Sequence, residues 1–192
     1  TIIYQMYCEN HIEIDKKTAG LMCSAILSDT LMFGSPTCTP ADMKAANVLA
    51  ELAGIVIEEY AVKMFRAGSN LKDKTPQEIF SQDYKRFSVN DINFGVGQIS
   101  SMDEDELIDI KEKLVPYMKE QLASQGINMI FFMLTNMVAT ETLLIALGKG
   151  AGNVIETGFD APRLEENVYR LEGVVSRKKQ LIPEILTVLS QE

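Results

Sequence analysis

Three consecutive cations stand in the segment Ser176-Arg177-Lys178-Lys179-Gln180, bracketed by two side chains that form hydrogen bonds. The segment falls where an apolar stretch predicted as a strand, Leu171 to Val175, gives way to a helix predicted over Pro183 to Leu189. Strand-to-helix junctions present unpaired backbone N–H groups that favour anions. An arginine fork takes two phosphate oxygens at once, each lysine adds a point charge, and Ser and Gln donate further hydrogen bonds. Anion binding is the chemistry such a cluster would do. A solvated charge run is the competing reading, because adjacent cations are common on surfaces.

Other residues carry weaker signals. Asp29 ends an apolar helical segment between Ser28 and Thr30, which could orient its carboxylate as a hard ligand for manganese or magnesium. A helix-terminal Asp is more often a local hydrogen-bonding residue, and one carboxylate cannot hold a divalent cation. Lys85, in Gln82-Asp83-Tyr84-Lys85-Arg86-Phe87, stands beside a predicted strand and could face an interdomain cleft; a surface lysine is the plain alternative. Thr135-Asn136 follows a buried apolar run, a usual place for ligand-binding residues in α/β folds, with helix capping an equal possibility. His11, the only histidine, lies in a polar turn and reads as an exposed loop residue. Cys8, Cys23 and Cys38 recur at a spacing that matches no zinc-ligand pattern, and they read as buried reduced thiols.

Composition bounds these options. With 192 residues and 46% hydrophobic content the chain can bury a real core, and its net charge of −9 opposes a general nucleic-acid or anionic-membrane binder. No apolar stretch approaches the roughly 20 residues a membrane helix needs, and nothing at the start resembles a signal peptide. A cytoplasmic location is the default expectation.

The elements that must position the candidates are mostly helical in the first seventy residues. Thr1 to Tyr7 reads as helix from its opening position, as a processed or trimmed terminus would. Asp15 is predicted to cap a helix ending at Ser28-Asp29-Thr30. Thr39, Pro40 and Asp42 have the spacing of a capping box, Gly54 supplies a stop, and a further helix is predicted over about Glu58 to Ala67. Residues 68–74 read as a linker, dividing the chain into domains at 1–67 and 75–192. Thr75-Pro76-Gln77-Glu78 repeats the capping logic. Phe87 to Val89 and Ile92 to Ile99 read as paired strands around Asn90-Asp91, and Ser101 with Glu104 as the start of a long amphipathic helix. Met129 to Leu134 and Leu143 to Leu147 read as strands buried on both faces. The fold class expected from these elements is α/β: a mostly helical first domain, then a mixed-sheet α/β domain.

Three blocks together resemble the family II, manganese-dependent inorganic pyrophosphatases of the DHH phosphoesterase superfamily: Ala19 to Leu31 with Ser35-Pro36-Thr37, Asp83 to Phe87, and Gly173 to Gln180. The resemblance spans essentially the whole chain, as the carboxyl-terminal two-thirds of such an enzyme. It implies that Asp29 is a metal ligand, that Lys85, Arg177 and Lys178 contact substrate phosphates, and that Ser176, Lys179 and Gln180 support them. It further implies that 1–67 is the remainder of a DHH-type parallel-sheet domain and 75–192 the smaller, substrate-binding domain, with catalysis in the cleft between them, Mn²⁺ with Mg²⁺ as a further candidate, and a homodimer for the full-length protein. The family's amino-terminal ligand motifs have no counterpart among these residues, so this chain is expected to be inactive alone. A non-catalytic phosphate-binding or regulatory module, or another DHH phosphoesterase such as an exopolyphosphatase, are the alternatives.

Overall fold

The computed structural model describes residues 1–69, 71, 73–124 and 126–191. The chain divides into two compact units, Thr1–Gly68 and Ser69–Glu192. Of the expected linker, Asn70 and Lys72 lie outside the described residues.

The first unit is built from helices α1 (Ile2–Glu9), α2 (Lys16–Asp29), α3 (Pro40–Ala53) and α4 (Ile57–Ser69). Local chemistry sets their ends. The Asp15 carboxylate accepts from Lys17 N and Thr18 N, Thr39 and Asp42 form the reciprocal capping box, and Gly54 closes α3 in the left-handed conformation. The core is small-residue packing of α2 on α3, with Ala19, Cys23 and Leu27 against Ala45, Ala46 and Leu49. Helix α1 buries none of its residues, and Ile2, Ile3 and Met6 stand exposed. The cysteines differ from expectation in one respect. All three are free thiols, but only Cys23 is buried; Cys8 lies on the solvent-facing α1.

The second unit is a six-stranded mixed sheet covered on both faces. Its elements are α5 (Pro76–Gln82), β1 (Tyr84–Val89), β2 (Ile92–Ser101), α6 (Glu104–Ser124), β3 (Met129–Asn136), β4 (Glu141–Gly148), α7 (Ala151–Phe159), β5 (Arg163–Glu165), β6 (Val168–Glu172), a π-helical turn (Arg177–Leu181) and α8 (Ile182–Leu189). Strand order is β1-β2-β3-β4-β6-β5, with β2 and β3 parallel across the α6 crossover and all other neighbours antiparallel. The run Met129 to Leu134 is wholly buried because period-two alternation serves two cores. Phe131 and Met133 join Leu144 and Ala146 under α7 and α8, whereas Ile130, Phe132 and Leu134 join Ile145 and Leu147 under α5 and α6. Two glycines permit close approaches in β2. A Cβ on Gly95 would overlap the Tyr84 ring, and one on Gly97 the Phe132 ring.

Two expectations shift, and one helix had no sequence signal. The last long strand lies at Val168–Glu172, three residues before the predicted position, and Gly173, with φ 70, turns the chain out of it. Ser101 ends β2 and does not cap α6: its hydroxyl donates to Glu106 and accepts from Asp103 N, while Asp103 Oδ1 takes the amides of Asp105 and Glu106. The apolar segment containing Ala151 to Phe159 folds as a helix that begins at left-handed Gly150 without a side-chain cap.

Candidate functional site

The basic segment is itself the first turn of the final helical region. Ser176 caps it, its Oγ accepting from Lys179 N at 3.3 Å, and residues 177–181 wind as a π-turn before α8 begins. Such turns are rare and frequent at functional sites. Gln180 folds back to close the loop that feeds it: Oε1 accepts from Val175 N and Ser176 N, both at 3.0 Å, and Nε2 donates to Gly173 O at 2.7 Å. These bonds commit the Gln180 amide to positioning the segment.

Arg177 is buried, at 9% exposure, and is held by Asp83, at the junction of α5 and β1, and by β2. Its Nη2 pairs with Asp83 Oδ1 at 2.9 Å, and Nη1 donates to Asp83 O at 2.5 Å and Val96 O at 3.4 Å. Its backbone N–H donates to Gln98 Oε1 at 3.3 Å. Gln98 in turn donates from Nε2 to Val175 O at 2.9 Å and to Thr135 Oγ1 at 3.1 Å. Thr142, opposite Thr135 in the β3–β4 register, donates to Val174 O at 2.6 Å. The loop before the cations is therefore stitched to the sheet from two strands, β2 and β4, with Thr135 of β3 bridging the two side chains that hold it. Lys178 and Lys179 face solvent, and neither has an ion-pair partner among the described residues.

Lys85 comes to the same region by strand register. Its Cα pairs with Val96, whose carbonyl receives Arg177, and its side chain is exposed. Phe87, two residues on, packs in the core that contains Leu181 and Ile185, so alternation puts Lys85 on the sheet face that carries the basic turn. Thr135 and Asn136 belong to the scaffold. Thr135 is fully buried in the hydroxyl and amide network, and Asn136 Oδ1 accepts from Val138 N and Ala139 N to form the β3–β4 turn, so it caps no helix.

Asp29, in the other unit, is the exposed last residue of α2. A carboxylate there meets the negative end of the helix dipole, so helix electrostatics do not account for it. Thr30 does not orient it, because its hydroxyl donates to Ile26 O and accepts from Phe33 N. Directly after it Leu31, Met32 and Phe33 all have positive φ, of 48, 52 and 71°. Among the described residues no group of three or more His, Cys, Asp or Glu side chains could hold a metal ion. Asp29 with its surroundings therefore does not fit a divalent-metal centre by itself, and exposed His11 does not supplement it.

The sequence reading assigned no role to Asp83, Gln98 or Thr142. Gln98 had one usable signal, as the lone long polar side chain in the apolar and glycine-rich run Phe94 to Ile99. Asp83 and Thr142 had none that separates them from ordinary surface or strand residues.

The DHHA2 domain family matches residues 62–188. The chain belongs to this family. It is 37% identical over 191 residues to the manganese-dependent inorganic pyrophosphatase of Bacillus subtilis, an alignment covering 100% of this chain and 61% of that protein. It is 39% identical over 190 residues to the cobalt-dependent inorganic pyrophosphatase of Clostridium perfringens, covering 99% of this chain and 34% of that one. Among solved structures it is similar to a Methanococcus jannaschii protein assigned as a family II inorganic pyrophosphatase, with TM-score 0.77 and 34% identity over 97% of this chain and 63% of that one. The chain thus spans less than two-thirds of each of these relatives. The resemblance to family II pyrophosphatases, carried in the sequence by three short blocks, holds over nearly its whole length, and the mixed α/β fold is shared. Among the described residues no helix is long and apolar enough to cross a membrane.

Proposed function

We propose that this chain is the phosphate-binding portion of an inorganic pyrophosphatase, an enzyme that hydrolyses pyrophosphate to two phosphates. One observation supports this most directly: in a protein of net charge −9, two lysines with no ion-pair partner among the described residues and a buried, braced arginine are gathered on one short turn. Arg177, Lys178 and Lys85 would contact phosphate oxygens, with Lys179 and Ser176 beside them, neutralising charge as it shifts to the leaving phosphate. Gln180 would act by holding the turn.

Residues 1–67 are proposed as part of a DHH-type domain and 75–192 as the substrate-binding domain. Asp29 would offer one oxygen ligand to Mn²⁺, or to Mg²⁺, and the succession of strained residues after it is of the kind that collects at functional sites. The metal chemistry of the whole enzyme requires donors that the described residues do not bring together. A cytoplasmic, homodimeric full-length protein that binds neither nucleic acid nor membrane completes the proposal.

The test is calorimetric titration of the chain with inorganic pyrophosphate. Binding that weakens with added salt and with Lys178→Ala or Arg177→Ala is expected, and no binding by the parent chain would reject the proposal. In the full-length protein Arg177→Ala should remove about 2–4 kcal/mol of transition-state stabilisation, as for loss of an oxyanion donor. The chain with excess Mn²⁺ is expected to hydrolyse pyrophosphate only at background rate. The absence of a metal-holding cluster among the described residues favours one second reading, a non-catalytic phosphate-binding or regulatory module. Binding without hydrolysis by the full-length protein would support that reading.

A further inference from the structure

The arrangement around Arg177 assigns a role to a residue that lies 94 positions away in the sequence. A guanidinium has five N–H donors in one plane. Here Nη1 donates to two carbonyl oxygens, Asp83 O and Val96 O, and Nη2 forms an ion pair with Asp83 Oδ1 at 2.9 Å. The end-on edge of the fork, Nη1 with Nη2, is thereby filled by one residue that grips it through both its carboxylate and its backbone. Nε–H and the Nη2–H beside it form the other edge, and neither donates a hydrogen bond to a described residue. That edge has the spacing for two oxygens of one phosphate.

Arg177 Nε makes no hydrogen bond to a described residue, and it is not among the buried unpartnered side-chain atoms, which are Tyr84 Oη and Arg170 Nε. It is therefore not sealed from solvent, although the side chain as a whole is 10% exposed. Asp83 is 48% exposed, so the ion pair sits at the water boundary with the arginine on its covered side. Such a pair contributes little to stability through solvent-screened charge. What it fixes is direction: of the many rotamers open to an arginine, one remains.

We infer that Asp83 is a positioning residue for anion binding, locking the end-on edge of Arg177 so that the Nε edge is presented to a phosphate group. Asp83 acts through Arg177 and does not touch the ligand. Its place at the junction of α5 and β1, immediately before the strand that carries Lys85, gives the two cations a common mount. This inference rests on the phosphate-binding reading for its ligand but not for its geometry, and the two can be separated.

The experiment combines ¹H–¹⁵N spectra of the arginine side chains with pyrophosphate titrations of the full chain, for the parent, Asp83→Ala, Asp83→Asn, Arg177→Ala and the double variant Asp83→Ala/Arg177→Ala. In the parent the Arg177 Nη signals should be resolved; in Asp83→Ala, where Nη1 keeps its two backbone carbonyls, the Nη2 protons should be averaged by rotation, and in Asp83→Asn, which keeps an acceptor oxygen, at least partly resolved. Pyrophosphate should bind Asp83→Ala on the order of tenfold more weakly than the parent, the low end of losses seen when an orienting partner is removed. Asp83→Asn should restore most of the loss. In the Arg177→Ala background, Asp83→Ala should add nothing. Tighter or unchanged binding by Asp83→Ala would overturn the inference, since it would make Asp83 a competitor or a bystander. An equal loss in the Arg177→Ala background would also overturn it, since Asp83 would then act by another route. If the parent binds no pyrophosphate, the functional reading fails alone, and the Nη signals still decide whether Asp83 orients Arg177.

Discussion

Gln98→Ala tests whether the sheet, more than the loop's own sequence, holds the basic turn in place. The side chain makes three hydrogen bonds: Nε2 to Val175 O and Thr135 Oγ1, and Oε1 from Arg177 N. Each neutral bond is worth about 1 kcal/mol net, and somewhat more where its partner is left buried and unpaired. Thr135 keeps Thr142 as a second partner, so its loss is the mildest. Val175 is buried and its carbonyl loses the Gln98 amide, and Arg177 N–H loses its acceptor. The sum is about 2–3 kcal/mol for the second unit, before any repacking. Amide hydrogen exchange of β2 and β3, read with urea titration by far-UV circular dichroism, measures it without assuming that both units unfold together. Gln98→Glu should be at least as costly near neutral pH, because it keeps the acceptor for Arg177 N but turns a carboxylate toward the Val175 carbonyl. A loss under about 0.5 kcal/mol for Gln98→Ala, the range of an ordinary surface substitution, would refute the reasoning.

Two further outcomes follow from the helix caps and the glycine contacts. The Thr1 and Thr39 hydroxyls, with Thr39 N–H, hold the Asp42 carboxyl down to about 2 from its usual 3.8; Asp15 and Glu78 are likewise lowered, chiefly by hydrogen bonds from Thr18 and Thr75 respectively. Carboxyls depressed by folding stabilise above their unfolded values and stop doing so as pH falls through the folded ones, so α3 should fray at its amino end between about pH 4 and 2, and α2 and α5 as pH falls below the usual carboxyl values. Helix content that stays flat across that window would contradict this. Gly95→Ala should destabilise the second unit by about 1–3 kcal/mol, since the added Cβ must displace the Tyr84 ring from its contact with Phe80; the simultaneous change Tyr84→Ala should remove the clash, visible as non-additivity in the double-mutant cycle.

Much of this molecule is written locally. The caps at Asp15, Thr39 and Thr75 bond amides two or three residues away, so their type and spacing suffice to name them. The uninterrupted run Met129 to Leu134 announces a strand buried on both faces, and the cation run at Arg177 to Lys179 marks itself against an acidic background. The α/β class follows from such signals. What the sequence left undetermined depends on partners distant along the chain. Helix α7 starts on a left-handed glycine with no capping side chain, so only its packing under the sheet defines it. The β6 boundary is set by pairing with β4, which stops at Glu172. Whether Arg177 is a loose surface cation or a braced one depends on Asp83 and Gln98, 94 and 79 residues away, and no spacing rule spans such distances. Hydrogen bonds between neighbours are encoded by residue type alone, whereas the direction of a charged side chain is settled only when the sheet brings its acceptors together.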